Sequence, residues 1–164
     1  MAEVPAPLAG EHSCRYTMKL VGIDYGLERT GTAATDSDGI LAYPLQTFEL
    51  AREGSRKNLL ASLAGLIARE GAERIIIGLP LMPDGSESMT TRQVRNFAAR
   101  LQHRVSCPCF FMNELLSSEE ALADLRETRM TRQKIKAVLD QQAAVRILES
   151  YLSCPSSAIA VEPK

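Results

Sequence analysis

Three carboxylates stand where a carboxylate is costly. Asp24 follows the apolar run LVGI at 20–23 and shares a strand face with Leu20 and Gly22. Glu114 closes CFFMNE at 109–114 and shares a face with Phe110 and Met112. Asp140 has Ala144, Ile147 and Tyr151 at i+4, i+7 and i+11, so it points with an apolar helical stripe. A lone carboxylate in such a place needs a partner or solvent. Each of the three alone is more often a cap or a buried ion-pair partner. Three acids on core-facing sides of three different elements are harder to dismiss. If they converge, each like-charged pair costs ~4 kcal/mol at ~4 Å and an effective dielectric near 20. A bound Mg²⁺ or Mn²⁺ offsets that repulsion. Hard cations take oxygen ligands, and two ions ~4 Å apart clamp the attacking and leaving oxygens in phosphodiester cleavage. Asp24, Glu114 and Asp140 are therefore candidate ligands of a divalent metal. His12 and His103 offer no competing cluster, and Cys107-Pro108-Cys109 is a poor zinc signature.

The elements that must position these acids are legible from periodicity. KLVGIDYG at 19–26 reads as a buried strand closed by glycine, followed by TGTAATD at 30–36 and ILAYPLQTF at 40–48. Asp38-Gly39 between the last two is hairpin chemistry. Short turns force these three strands into an antiparallel meander. Residues 54–70 then place Leu59, Leu60, Leu63, Leu66 and Ile67 on one helical face. RIIIGLP at 74–80 is a continuous apolar strand, as in a parallel strand covered on both sides. A helix over 87–104, the strand 109–114, a helix opened by a Ser117/Glu120 capping box to about 127, and a helix over 131–153 complete the order. The expectation is one α/β domain over 18–153. Its five-stranded mixed sheet has an antiparallel meander, then parallel strands 4 and 5, with helices on both faces. Residues 1–17 and 154–164 read as loose tails.

Charge narrows the partners. The 164 residues carry 19 Lys plus Arg against 20 Asp plus Glu, a net charge of -1, so a polyanion must be met by a local patch. Residues 126–136 (RETRMTRQKIK) hold five positive charges and one negative, and 92–104 hold Arg92, Arg95, Arg100 and Arg104 with no acid. Both segments are expected to flank the acids on one face. The loop LMPDGSES at 81–88 leaves the C-terminal end of a parallel strand, where ligand sites collect, and a plain connection explains it equally well. Nothing approaches a membrane span, and the first 17 residues have no apolar h-region, so a cytoplasmic protein with reduced thiols is expected.

VGIDYGLERTGTAATD, ERIIIGLPLMPDGSES, NELLSSEEA and VLDQQAAVRILESYL, in this order over residues 18–153, resemble the YqgF family. That bacterial group is described as Holliday junction resolvase-like proteins and as nucleases of pre-16S rRNA. The resemblance implies a ribonuclease H-like fold, acids at Asp24, Glu114 and Asp140, and divalent-metal nuclease chemistry in the cytoplasm. It implies 5′-end maturation of small-subunit ribosomal RNA precursor, or action on branched DNA. The family's D-E-R-L-T-T is N-E-L-L-S-S here: Glu114 is kept, an Asp is Asn113, an Arg is Leu115, and Ser117 and Ser118 keep two hydroxyls. The lysine usual after the last Asp is Gln141.

The reading is then a nuclease with Mg²⁺ or Mn²⁺ as cofactor and nucleic acid as partner, acting as monomer or homodimer. Gly22 and Gly26 would let a nucleic-acid backbone approach, Ser117 and Ser118 would contact phosphate, and Arg95, Arg129, Arg132 and Lys134 would hold the backbone. Asn113 and Leu115 favour an alternative, a catalytically weak nucleic-acid-binding or ribosome-assembly factor. A phosphotransferase of the actin and sugar-kinase type also opens on G-I-D-x-G, but it needs two such domains.

Overall fold

The computed structural model describes residues 18–114 and 132–162. The meander forms where the turns dictate it. β1 (Leu20–Tyr25) pairs antiparallel with β2 (Arg29–Thr35), and β2 with β3 (Ala42–Glu49). Gly39 takes φ 66° in the β2–β3 turn, and the Asp36 carboxylate accepts from the Ile40 amide at 2.8 Å. A single helical turn, α1 (Leu50–Glu53), is cut off by Gly54 at φ 88°. α2 (Arg56–Glu70) opens on a Ser55 cap and ends at Gly71 in the left-handed region.

β4 (Arg74–Pro80) returns parallel to β1, and β5 (Cys109–Glu114) parallel to β4 after α3 (Met89–Gln102). α4 (Arg132–Ser153) crosses the other face. Among the described residues the sheet order is β3-β2-β1-β4-β5-β6, one strand more than expected. The extra strand corrects the expected loose tail over 154–164. After a 3₁₀ turn at Pro155–Ser157, β6 (Ile159–Ala160) pairs antiparallel with β5. Val161 enters the core and donates its amide to the Cys109 carbonyl at 2.9 Å. Within the short run AIAV only Val161 is buried, while Ile159 and Ala160 stay exposed and pair with the otherwise open edge of β5.

Two cores follow from strand alternation. Val21, Ile23, Ile75, Ile77 and Phe111 pack under α2 and α3 with Leu63, Val94 and Leu101. Leu20, Ala33, Ile76 and Met112 pack under α4 with Ala144, Ile147, Leu148 and Tyr151. The predicted apolar stripe of the last helix is thus the buried one. No helix among the described residues is long and apolar enough to cross a membrane.

Candidate functional site

Glycines on the α4 face of the sheet decide how near α4 can come. A Cβ on Gly22 would stand 2.8 Å from the Ala144 carbonyl oxygen and 2.7 Å from Leu148 Cγ. One on Gly31 would stand 2.0 Å from the Asp140 carbonyl oxygen. One on Gly78 would stand 2.6 Å from Ile147 Cδ1 and 2.8 Å from Glu114 Oε2. Any side chain at Gly22 or Gly31 would meet helix backbone, so the helix lies close only because these positions are bare.

The same glycines locate the acids. Asp24 lies opposite Gly31 across β1–β2. The parallel register Ile23↔Ile77 puts Gly78 beside Asp24 on the other flank. Asp140 sits over Gly31 and the Glu114 carboxylate over Gly78. The three acids therefore follow one another across three adjacent strands, Asp24 in the middle. Two strand spacings, about 10 Å, separate the outer positions.

Electrostatics follow this order. Burial, and then the Asp140 charge, push the Asp24 carboxyl up to about 7. Burial, and then the Asp24 charge, push Glu114 up to about 8, with Arg146 pulling it down. Asp140 is also raised, by burial, against the opposing pull of Arg29 and Lys136. Arg29 Nε donates to Asp140 Oδ2 at 3.1 Å. The donor set is all carboxylate oxygen, which is the chemistry of a hard divalent cation. Asp24 feels the Asp140 charge, and Glu114 feels the Asp24 charge. Among the described residues no group of three or more His, Cys, Asp or Glu is placed to hold a metal ion. The two couplings share Asp24, and Arg29 holds Asp140.

The other expected site residues fare differently. Gly26 is bare for the chain itself, since a Cβ there would stand 2.5 Å from the Arg29 carbonyl oxygen. Arg95 pairs with Glu87 and lies over the Phe111 ring, 5.4 Å from its centroid, on the sheet face opposite α4. The basic segment 92–104 thus does not flank the acids on their own face: Val94, Phe97 and Leu101 carry α3 to the other core. Ser117, Ser118 and Arg129 lie outside the described residues, as do the helix read to 127 and most of the basic segment 126–136. Arg132 and Lys134 fall in the first turn of α4. The loop 81–88 is closed on itself: Asp84 Oδ1 accepts from the Ser86 amide at 2.8 Å and Ser86 Oγ at 2.6 Å. It ends in a Ser88–Thr91 capping box whose Thr91 hydroxyl donates to the Pro80 carbonyl at 2.6 Å. Gln141 Nε2 donates to Thr47 Oγ1 at 3.2 Å, and that hydroxyl donates to the Ala137 carbonyl at 2.7 Å, so Gln141 fastens α4 to β3.

Sequence reasoning missed Arg29, Arg146, Gly31 and Gly78. Arg29 was findable, because period two from Ala33 and Gly31 puts it on the α4 face. A recess of about 400 Å³ opens beside the site, walled by Tyr25–Arg29, Asp140 and the first turns of α3.

Comparison with known proteins agrees with the order of elements. The family profile described as "RuvX: Holliday junction resolvase" matches residues 18–154. A Nitratidesulfovibrio vulgaris (Miyazaki F) protein named "Putative pre-16S rRNA nuclease" is 47% identical over 140 residues, covering 85% of this chain and 96% of its own. A Lawsonia intracellularis protein of the same name is 47% identical over 135 residues, covering 82% and 93%. Among solved structures, Thermus thermophilus RuvC matches with a TM-score of 0.53 at 14% identity, covering 87% of this chain and 99% of that one. The same protein in complex with a Holliday junction substrate gives 0.54 at 13%, with the same coverage. These two likenesses bear on the fold, and the ribonuclease H-like expectation stands.

Proposed function

The chain belongs to the RuvX family, and on that premise we propose that it is a phosphodiester-cleaving nuclease of the cytoplasm whose substrate is the precursor of small-subunit ribosomal RNA. The observation that carries this reading is the row Glu114–Asp24–Asp140, raised by three elements over bare glycine positions. Buried acids held together at a cost in repulsion are expensive for folding alone.

Asp24 is the shared centre, with Glu114 and Asp140 on its flanks. Asp24 with either flanking acid would hold a divalent cation such as Mg²⁺, which would supply Lewis acidity toward a water and the leaving oxygen. The chain's own residues prepare the place. Arg29 neutralises the Asp140 carboxylate through Oδ2 in the metal-free protein. Asp24 and Glu114 titrate near neutrality, so their protons leave readily when a cation arrives. Packing under α4 limits the water around Asp24 and Glu114, while Asp140 stays about a quarter exposed at the mouth of the recess.

The test is cleavage of a purified ribosomal precursor beside a four-way DNA junction, with and without Mg²⁺, by the natural chain and by Asp24→Asn. Mg²⁺-dependent cleavage of the precursor, lost in Asp24→Asn, is expected. Cleavage confined to the junction would move the substrate to branched DNA. Binding without turnover by the natural chain would return the reading to a ribosome-assembly factor.

A further inference from the structure

The recess beside Asp140 does not end at the site. It shares Tyr25, Leu27 and Gln93 with a narrower recess of about 90 Å³ between α2 and α3. That recess in turn shares Leu60 and Arg100 with a third, of about 290 Å³, bounded by Lys57, His103 and Arg104. The shared walls make one furrow. It starts at Asp140, the outer acid of the row on the α4 face, crosses the C-terminal end of β1 at Tyr25, and runs down the groove between α2 and α3. Tyr25 stands at the bend, its ring stacked on Phe97 at 4.1 Å and 11°.

Charge changes along this path. The site end carries two acids, Asp140 and Glu28, and one cation, Arg29, in its walls. The far two recesses are walled by Arg56, Lys57, Arg100 and Arg104, with no acidic wall residue. All four side chains are exposed, and none joins an ion pair among the described residues. Arg56 and Lys57 also open α2, where the helix dipole disfavours cations. Four like charges gathered so in a chain of net charge -1 repel one another; no ion pair offsets them among the described residues, and the helix dipole favours only the pair at the C-terminal end of α3, Arg100 and Arg104.

We propose that this furrow is a backbone track for the nucleic-acid strand that leaves the carboxylate site, its phosphates held by Arg56, Lys57, Arg100 and Arg104. The substrate class rests on the nuclease reading above. The track lies behind the reacting bond, on the opposite face of the sheet, and so adds affinity without touching the chemistry. It also gives α3 a role other than the one its charges suggested in the sequence: Arg100 and Arg104 at its end meet the strand, while Arg95 stays paired to Glu87.

The experiment measures affinity against salt for a labelled single-stranded RNA and a labelled four-way DNA junction. It uses the natural chain, the triple variant Lys57→Gln/Arg100→Gln/Arg104→Gln, the control Arg69→Gln and the site variant Asp24→Asn. Each lost phosphate contact lowers the log–log salt slope by about 0.7 on a single strand and 0.9 on a duplex. The triple variant should therefore lose about two from the RNA slope and bind more weakly at low salt. Arg69, exposed on α2 outside the furrow, should leave the slope unchanged. The nucleic acid with the larger loss is the one the track takes. Unchanged affinity and slope for both in the triple variant, an equal loss in Arg69→Gln, or no binding of either by the natural chain would each overturn the track. The nuclease reading fails separately, through an Asp24→Asn protein that still cleaves.

Discussion

Gly31 and Asp140 touch through their backbones: a Cβ on Gly31 would lie 2.0 Å from the Asp140 carbonyl oxygen and 2.8 Å from its Cβ. The contact seats the N-terminal half of α4 on β2, and with it one end of the carboxylate row. A helix carbonyl cannot swing aside as a side-chain tip can. Gly31→Ala must therefore lift α4, at about 1–3 kcal/mol for overpacking of this kind. Cleavage should fall further than the stability loss explains, because Asp140 moves away from Asp24. Urea melts and cleavage rates on the same preparation check this; a variant with natural stability and rate would show that the approach is not needed.

Gly78→Ala should separate stability from activity more cleanly. Its Cβ would meet Ile147 Cδ1 at 2.6 Å and Glu114 Oε2 at 2.8 Å, both free ends of side chains. They give way at modest cost, about 1 kcal/mol, but Glu114 gives way by leaving its place beside Asp24. Activity should drop about tenfold or more with a small change in melting temperature. A full-rate Gly78→Ala protein would remove Glu114 from the reacting set.

Much of the fold was legible because period two and period 3.6 are local signals. The alternation around Asp24 named the face it occupies, and Ala144, Ile147 and Tyr151 named the buried stripe of α4. β6 was hidden because two residues between Pro155 and Pro163 carry no period. The site was legible in its members and not in its spacing. Three acids on one face are a sequence pattern; their order across β4, β1 and β2 depends on which strand lies beside which. Arg95 misled because its charge reads as a phosphate contact, while Glu87, eight residues earlier across a helix start, had already taken it. The glycines carried the missing information, since only the docked helix shows what a side chain there would strike.

The raised carboxyls fix the sign of the pH dependence. Asp24 at about 7 and Glu114 at about 8 bind protons more tightly folded than unfolded, against ordinary values of 3.8 and 4.5. Between those limits the folded state holds more protons, so stability falls as pH rises. In chelator, the melting temperature should decline from about pH 5 to about pH 8 in the window set by these two groups. Mg²⁺ should restore more at the upper end, where the acids are ionised and repel. A melting temperature that climbs over this window would contradict the crowded, largely desolvated pair Asp24 and Glu114.

Arg29 tests whether a cation already stands in for part of the metal's work. Its Nε holds Asp140 Oδ2 at 3.1 Å, with both side chains about a quarter exposed. A pair so wet is worth at most about 1 kcal/mol. Arg29→Gln should therefore cost little stability in chelator. It frees the Asp140 carboxylate, so stabilisation by Mg²⁺ should grow relative to the natural chain. Thermal melts across a Mg²⁺ titration read both effects, and weaker Mg²⁺ stabilisation in the variant would make Arg29 a support of the site rather than a competitor.

Asp140→Asn decides whether the third acid belongs to the row or to the scaffold. Two effects oppose each other. The change loses the charged partner of Arg29, worth up to about 1 kcal/mol at this exposure. It also removes a buried charge whose own carboxyl is raised despite Arg29 and Lys136, so burial outweighs their help. The second effect should win above neutrality, and the chelated protein should be as stable as the natural chain or more so. Asp140 is also the charge that raises Asp24 after burial, so the pH midpoint of the stability decline should move down in the variant. Cleavage should fall by at least about a hundredfold, the scale of losing one charge-stabilising group, and Mg²⁺ stabilisation should shrink with it. A chelated protein clearly destabilised by Asp140→Asn, with an unmoved pH midpoint and an intact Mg²⁺ response, would make Asp140 a structural partner of Arg29 and leave the chemistry to Asp24 and Glu114.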